Sequence, residues 1–114
     1  MTFHAKDTPM FHPATKLTII AEHFLTEKVC QLIEASGGSG YTLTPVGGKG
    51  LHHLHATFDK ATVVEGFDHL QIEVITAERG NAEKIAERVL DECFAEYSGV
   101  MYLETVEVCR QERF

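Results

Sequence analysis

From Thr15 to His23 polar and apolar positions alternate, with Leu17 and Ile19 facing one way and Ile20 the other; a period of two predicts a strand. The period then changes. Val29, Leu32, Ile33 and Ser36 recur at i, i+3, i+4 and i+7, which predicts a helix from Thr26, as its capping residue, to about Ala35. Ser36-Gly37-Gly38 stops it, since glycine accommodates the left-handed turn that ends helices. Tyr41 to Val46 reads as a second strand. Phe67 to Thr76 reads as a third, with Leu70, Ile72 and Val74 on one face and Gln71, Glu73 and Ile75 on the other. Asn81 is the expected cap of a second helix, whose wide stripe runs through Ala82, Ile85, Ala86, Val89, Leu90, Cys93, Phe94 and Tyr97. Ser98-Gly99 ends it, and Val100 to Val108 forms a fourth strand. Met1 to Ala14 has two prolines and no period, and is expected to be a disordered leader before one domain spanning 15–114.

The order strand, helix, strand, strand, helix, strand predicts an α+β, ferredoxin-like βαββαβ sandwich. Right-handed crossovers put both helices on one face of the sheet. The other face then carries Ile20, Ile75 and Tyr102 with nothing over them. An apolar face of that kind is most simply buried against copies of the same chain, so a homo-oligomer is expected.

Composition narrows the function. A net charge of −7 argues against a broad nucleic-acid-binding face, so any basic site is local, and Lys49 is the obvious one. Met1 to Pro13 lacks a signal-peptide core, and no run approaches the roughly 20 apolar residues of a membrane span, so a cytoplasmic location is expected. Cys30, Cys93 and Cys109 form no Cys-x-x-Cys pair, which removes zinc-ribbon and thioredoxin readings. Cys30 and Cys93 fall on helix stripes and read as small core residues; Cys109 lies near the chain end.

The segment between the second and third strands, about 47–66, is long for a connection in a small domain, and such loops tend to carry function. It opens with Gly47-Gly48-Lys49-Gly50. Three glycines allow several amide hydrogens to converge and the lysine adds a mobile cation, which suits a phosphate or small oxyanion; an ordinary flexible loop has the same composition. His52, His53 and His55 come next. Imidazoles invite a metal, but His52 and His53 would point apart in an extended chain, leaving two ligands on a loop; polar filler, or contact of His52 or His55 with an anion at Lys49, are the alternatives. Catalysis finds little support. Asp68 and His69 should face opposite sides of their strand, no nucleophile triad has a sequence signature, and Arg79 reads as solvating the helix entry. Tyr97-Ser98-Gly99 joins helix to strand, where a glycine would also let backbone approach a ligand.

Lys16-Leu17-Thr18-Ile19-Ile20, Gly40-Tyr41-Thr42, Gly47-Gly48-Lys49-Gly50, and the runs from Glu83 to Val89 and from Tyr97 to Tyr102 together resemble the PII signal-transduction superfamily, over about Thr15 to Val108. The resemblance is to the PII-like branch of inorganic-carbon metabolism, which includes carboxysome-associated proteins and a bicarbonate-transporter regulator. It implies a homotrimer with nucleotide clefts between subunits and a T-loop at about 47–66 that engages partners. It also implies adenine-nucleotide contacts at Gly40, Thr42, Gly47, Gly48, Lys49, Gly50, Glu73, Ile75, Tyr97, Ser98, Gly99 and Val100. Bicarbonate would sit at Gly48, Lys49 and Gly50. ADP or AMP is favoured over ATP, because His52 and His55 stand where transporter-regulator relatives carry T-loop arginines. Redox control of the kind those relatives carry is expected to be absent, and the uridylylated tyrosine of nitrogen-sensing PII proteins has no counterpart between Leu51 and Glu65.

The resemblance thus implies a non-enzymatic sensor of adenylate and bicarbonate, with no obligatory cofactor, which acts through its T-loop on a transporter or carboxysome-related protein. Two rival readings are a slow ATP or ADP phosphohydrolase and a metal-responsive trimer using the T-loop histidines.

Overall fold

A computed structural model describes residues 10–38, 40–47 and 68–109. Among them are strands β1 (His12–Glu22), β2 (Thr42–Val46), β3 (His69–Thr76) and β4 (Gly99–Val108), and helices α1 (Thr26–Ala35) and α2 (Arg79–Glu92). They form one antiparallel sheet in the order β2-β3-β1-β4, the strand order of two interleaved split βαβ units. The predicted ferredoxin-like sandwich is therefore the fold.

Register sorts the side chains. Leu17, Ile19 and Ala21 of β1 lie opposite Val74, Ile72 and Leu70 of β3, and all six are buried. Val29, Leu32 and Ile33 of α1 and Ala82, Ile85 and Val89 of α2 pack on this face and close the core. Lys28 on α1 pairs with Glu92 at the end of α2 at 3.2 Å, and Arg88 holds the same carboxylate at 3.0 Å. The hydrogen bonds from Arg88 and then Lys28 push the Glu92 carboxyl below its usual range. Cys30 and Cys93 are buried as expected, with desolvation raising the Cys93 thiol, and Cys109 is exposed.

Helix α1 ends as Ser36-Gly37-Gly38 predicts. Gly37 adopts φ 92°, and the Gly38 and Gly37 amides donate to the carbonyls of Ile33 (2.9 Å) and Glu34 (3.3 Å), a Schellman closure. Other boundaries depart from the sequence pattern. Strand β1 begins at His12, inside the stretch expected to be leader, because His12, Pro13 and Ala14 pair with Val108, Glu107 and Val106. Thr26 does not cap α1; a 3-10 turn, His23–Leu25, precedes the helix, and the Thr26 hydroxyl donates back to the His23 carbonyl at 2.7 Å. Asn81 does not cap α2 either, since that helix starts two residues earlier at Arg79. Helix α2 also ends at Glu92, short of Phe94 and Tyr97. Phe94 lies over Gly99, where any Cβ would run into its ring, and Tyr97 meets Phe24 edge-on with centroids 5.0 Å apart.

Candidate functional site

The sheet face turned away from the helices is ordered in cross-strand rows. Thr42, Glu73, Thr18 and Tyr102 form one row; Thr44, Gln71, Ile20 and Val100 form the next; Ile75, Lys16 and Glu104 lie on the other side. Ile20 and Ile75 are half-buried and Tyr102 is exposed, so the predicted apolar positions do lie on the uncovered face. They share it with a charged group that the sequence pattern does not announce. The Lys16 ammonium lies 3.2 Å from Glu104 Oε1 and 3.7 Å from Glu73 Oε2, and Gln71 Nε2 donates to the same Glu73 oxygen at 3.2 Å. The hydrogen bond to Glu104, followed by the charge of Glu73, pushes the Lys16 ionisation above the usual lysine value. Between Glu73 and Tyr102, Thr18 is fully buried and its Oγ1 has no hydrogen-bond partner among the described residues.

Two hollows lie at the edges of the sheet. The first, about 140 Å³, is lined by Gly40, Tyr41, Thr42, Glu73 and Ile75 at the β2 edge. The α1 stop delivers the chain here. The Tyr41 ring turns inward against the core and its hydroxyl donates to Glu34 Oε2 at 2.9 Å. Hydrogen bonding with Cys30, then with Glu34, pushes the Tyr41 phenol up to about 12. That anchor fixes the backbone on which Gly40 and Thr42 sit, while no described residue lies within 4 Å of where a Gly40 side chain would begin. The second hollow, about 390 Å³, is lined by Leu90, Phe94 and the turn from Ala95 to Gly99 at the β4 edge.

Of the residues expected to contact nucleotide, Gly40, Thr42, Glu73 and Ile75 thus come together on one side. Tyr97, Ser98 and Gly99 come together on the other, with Val100, the second residue of β4, beside them. One chain does not join the two groups. Strands β3 and β1 stand between the sheet edges, a separation of roughly 14 Å at the usual strand spacing. Gly47 comes directly after β2. Gly48, Lys49, Gly50, His52, His53 and His55 lie outside the described residues. Among the described residues no group of three or more His, Cys, Asp or Glu side chains is placed to hold a metal ion, and no helix is long and apolar enough to cross a membrane.

Tyr41, Lys16 and Gln71 join the site although none is among the expected ligand contacts. The Gly-Tyr-Thr run is a usable signal for the first; the other two depend on strand register. Asp68 and His69 also depart from their expected placement. Asp68 precedes β3, so strand alternation does not govern it, and its Oδ1 lies 3.1 Å from His69 Nδ1.

The model of the family described as nitrogen regulatory protein P-II matches residues 14–113. Among solved structures, a protein of Thermus thermophilus described as PII-like and signalling is 27% identical, with a TM-score of 0.73 over 91% of this chain and 97% of that one. CPII of Thiomonas intermedia, bound to ADP, AMP and acetate, is 26% identical with a TM-score of 0.71, over 91% and 96% of the two chains. The same protein bound to ADP and bicarbonate gives 26% and 0.67 over 88% and 92%.

Proposed function

The chain belongs to the nitrogen regulatory protein P-II family, and on that premise we propose that it is a non-enzymatic signalling homotrimer that binds ADP or AMP together with bicarbonate in clefts between subunits. ATP is the longer alternative ligand. The observation that carries this reading is the division of the expected contacts between two opposite sheet edges. The β2-edge hollow, at about 140 Å³, falls short of the roughly 300 Å³ at which small-molecule pockets begin. It is half a site. A neighbouring copy that presents its β4 edge would supply the other half.

In the proposed cleft Gly40, Thr42, Glu73 and Ile75 receive the base and sugar from one subunit. Tyr97, Ser98, Gly99 and Val100 close over the nucleotide from the next. Gly47 leads toward Gly48, Lys49 and Gly50, to which the reading assigns phosphate and bicarbonate through backbone amides and the lysine ammonium. The segment of about 47–66, with His52 and His55, then reports occupancy to a transporter or carboxysome-related protein, which would make the chain a regulator of inorganic-carbon acquisition. The two bound forms of CPII, one with ADP and bicarbonate and one with ADP, AMP and acetate, support this ligand set by similarity.

Two ligands that share one loop base assist each other, because the first bears the cost of ordering it. Calorimetric titration with ADP, with and without saturating bicarbonate, tests the reading. The expected result is ADP affinity raised about fivefold or more by bicarbonate, the lower range of ordinary coupling energies. Equal affinity in both buffers would refute the coupling; no binding of any adenylate would refute the function.

A further inference from the structure

Lys16 stands on β1, an inner strand, on the open sheet face; it lies opposite Ile75 of β3 and its ammonium is 3.7 Å from Glu73, and both of these residues line the β2-edge hollow. Its ammonium is shared between Glu73 on one neighbouring strand and Glu104 on the other. Both the Lys16 and the Gln71 contacts of Glu73 go to Oε2, and Glu73 itself lines the hollow. A glutamate side chain has three rotatable bonds and, on an open face, would sample several directions. Held at one oxygen by an ammonium and a carboxamide, it is confined to one.

An ionised carboxylate only accepts hydrogen bonds. It matches the exocyclic amino group of adenine and repels the carbonyl oxygen that guanine carries at the same ring position. Sites built around a specific hydrogen bond discriminate strongly, since the wrong ligand leaves a polar group unpaired. Resting on the nucleotide site proposed above, we infer that Lys16 is a positioning residue: it holds the Glu73 carboxylate in one orientation, and so sets the preference of the cleft for a purine with an amino group rather than a carbonyl at C6, acting through Glu73. Glu104 is the counterweight. It draws the ammonium toward β4, and its removal gives Lys16 wholly to Glu73.

The test is the ratio of ADP to GDP affinity in the full chain, measured by calorimetry for the unaltered protein and for Lys16→Met, Lys16→Arg and Glu104→Gln, with assembly checked by mass. Lys16→Met is expected to lower the ratio by at least about fivefold, the loss of one well-aimed charge-assisted hydrogen bond. Lys16→Arg should restore it to within about twofold, because a guanidinium also pairs with carboxylates. Glu104→Gln should keep the ratio or increase it. A merely structural lysine would weaken both nucleotides by one factor; an unmoved ratio in Lys16→Met overturns the inference and leaves the nucleotide site standing. Failure of the unaltered protein to bind ADP overturns both. If Lys16→Met does not assemble, Lys16→Gln carries the same expectation and the same refutation.

Discussion

Ile72 and Glu73 are neighbours on β3, yet they belong to different problems. Ile72 is fully buried in the face that α1 and α2 cover, packed with Leu17, Ile19, Val74 and the helix residues Ile33, Ile85 and Val89 in one cluster. Glu73 lies on the opposite face, among Lys16, Gln71, Thr18 and Tyr102, where polar and apolar groups are mixed and the helices contribute nothing. One face is finished by the chain itself. The other carries a half-site at the β2 edge, an exposed tyrosine, and a buried threonine hydroxyl without a partner among the described residues, while the β4-edge hollow lies beside the end of α2. Stability comes mainly from the first face, and binding is expected of the second.

The sharpest contrast should appear in unfolding. Ile72→Ala removes side-chain volume from the closed core and is expected to cost about 2–5 kcal/mol in denaturant titration, as large-to-small changes in dry cores do. A loss well below that would mean that the helix-covered face is less tightly filled than its burial indicates. Thr18→Val, on the other face, keeps the shape and removes the unpartnered hydroxyl. It should change stability by under about 1 kcal/mol and in the stabilising direction, because burying an unmade hydrogen bond is itself unfavourable. A clear destabilisation would show that assembly provides that hydroxyl with a partner. The smallest effect lies at the junction of the two faces. The Tyr41 phenol, held by Cys30 and Glu34, ionises only near about 12. Its raised value favours folding below the unfolded value near pH 10, and that contribution disappears as pH climbs through about 12. Ultraviolet titration of the three tyrosines should show a late step that Tyr41→Phe abolishes. A titration without a late step would place the hydroxyl in water.

The closed face is the legible one. Alternation in β1 and β3 and the helical stripes name nearly all of its buried residues from the chain alone, because burial imposes a period on sequence. The Ser36-Gly37-Gly38 stop is equally readable, since only glycine tolerates Gly37's positive φ cheaply. Helix starts are less so. Thr26 and Asn81 are good capping types, but the 3-10 turn at His23–Leu25 and the early start at Arg79 shift each into its helix. The stripe of α2 runs past the helix end because Phe94 and Tyr97 stay apolar for another reason, covering Gly99 and meeting Phe24. On the open face the residue types are visible in the sequence and their partners are not. Lys16 is separated from Glu73 by 57 positions and from Glu104 by 88, and only the register of three strands brings them together. The split of the expected nucleotide contacts between two edges likewise comes from strand order, which no local pattern encodes.

The central claim is that each ligand cleft is made from the β2 edge of one copy and the β4 edge of another. Gly40→Trp should fill the first half-site, where a side chain would meet no described residue within 4 Å, and Ser98→Glu should repel an anionic ligand from the second. Each variant alone should fail to bind ADP. When the two are unfolded together in equal amounts and reassembled, about a quarter of the clefts should pair two intact edges, the share that random neighbours in a closed ring give. Recovery of ADP binding to about a quarter of the unaltered stoichiometry is the predicted result; a mixture as inert as its two components would contradict the shared cleft.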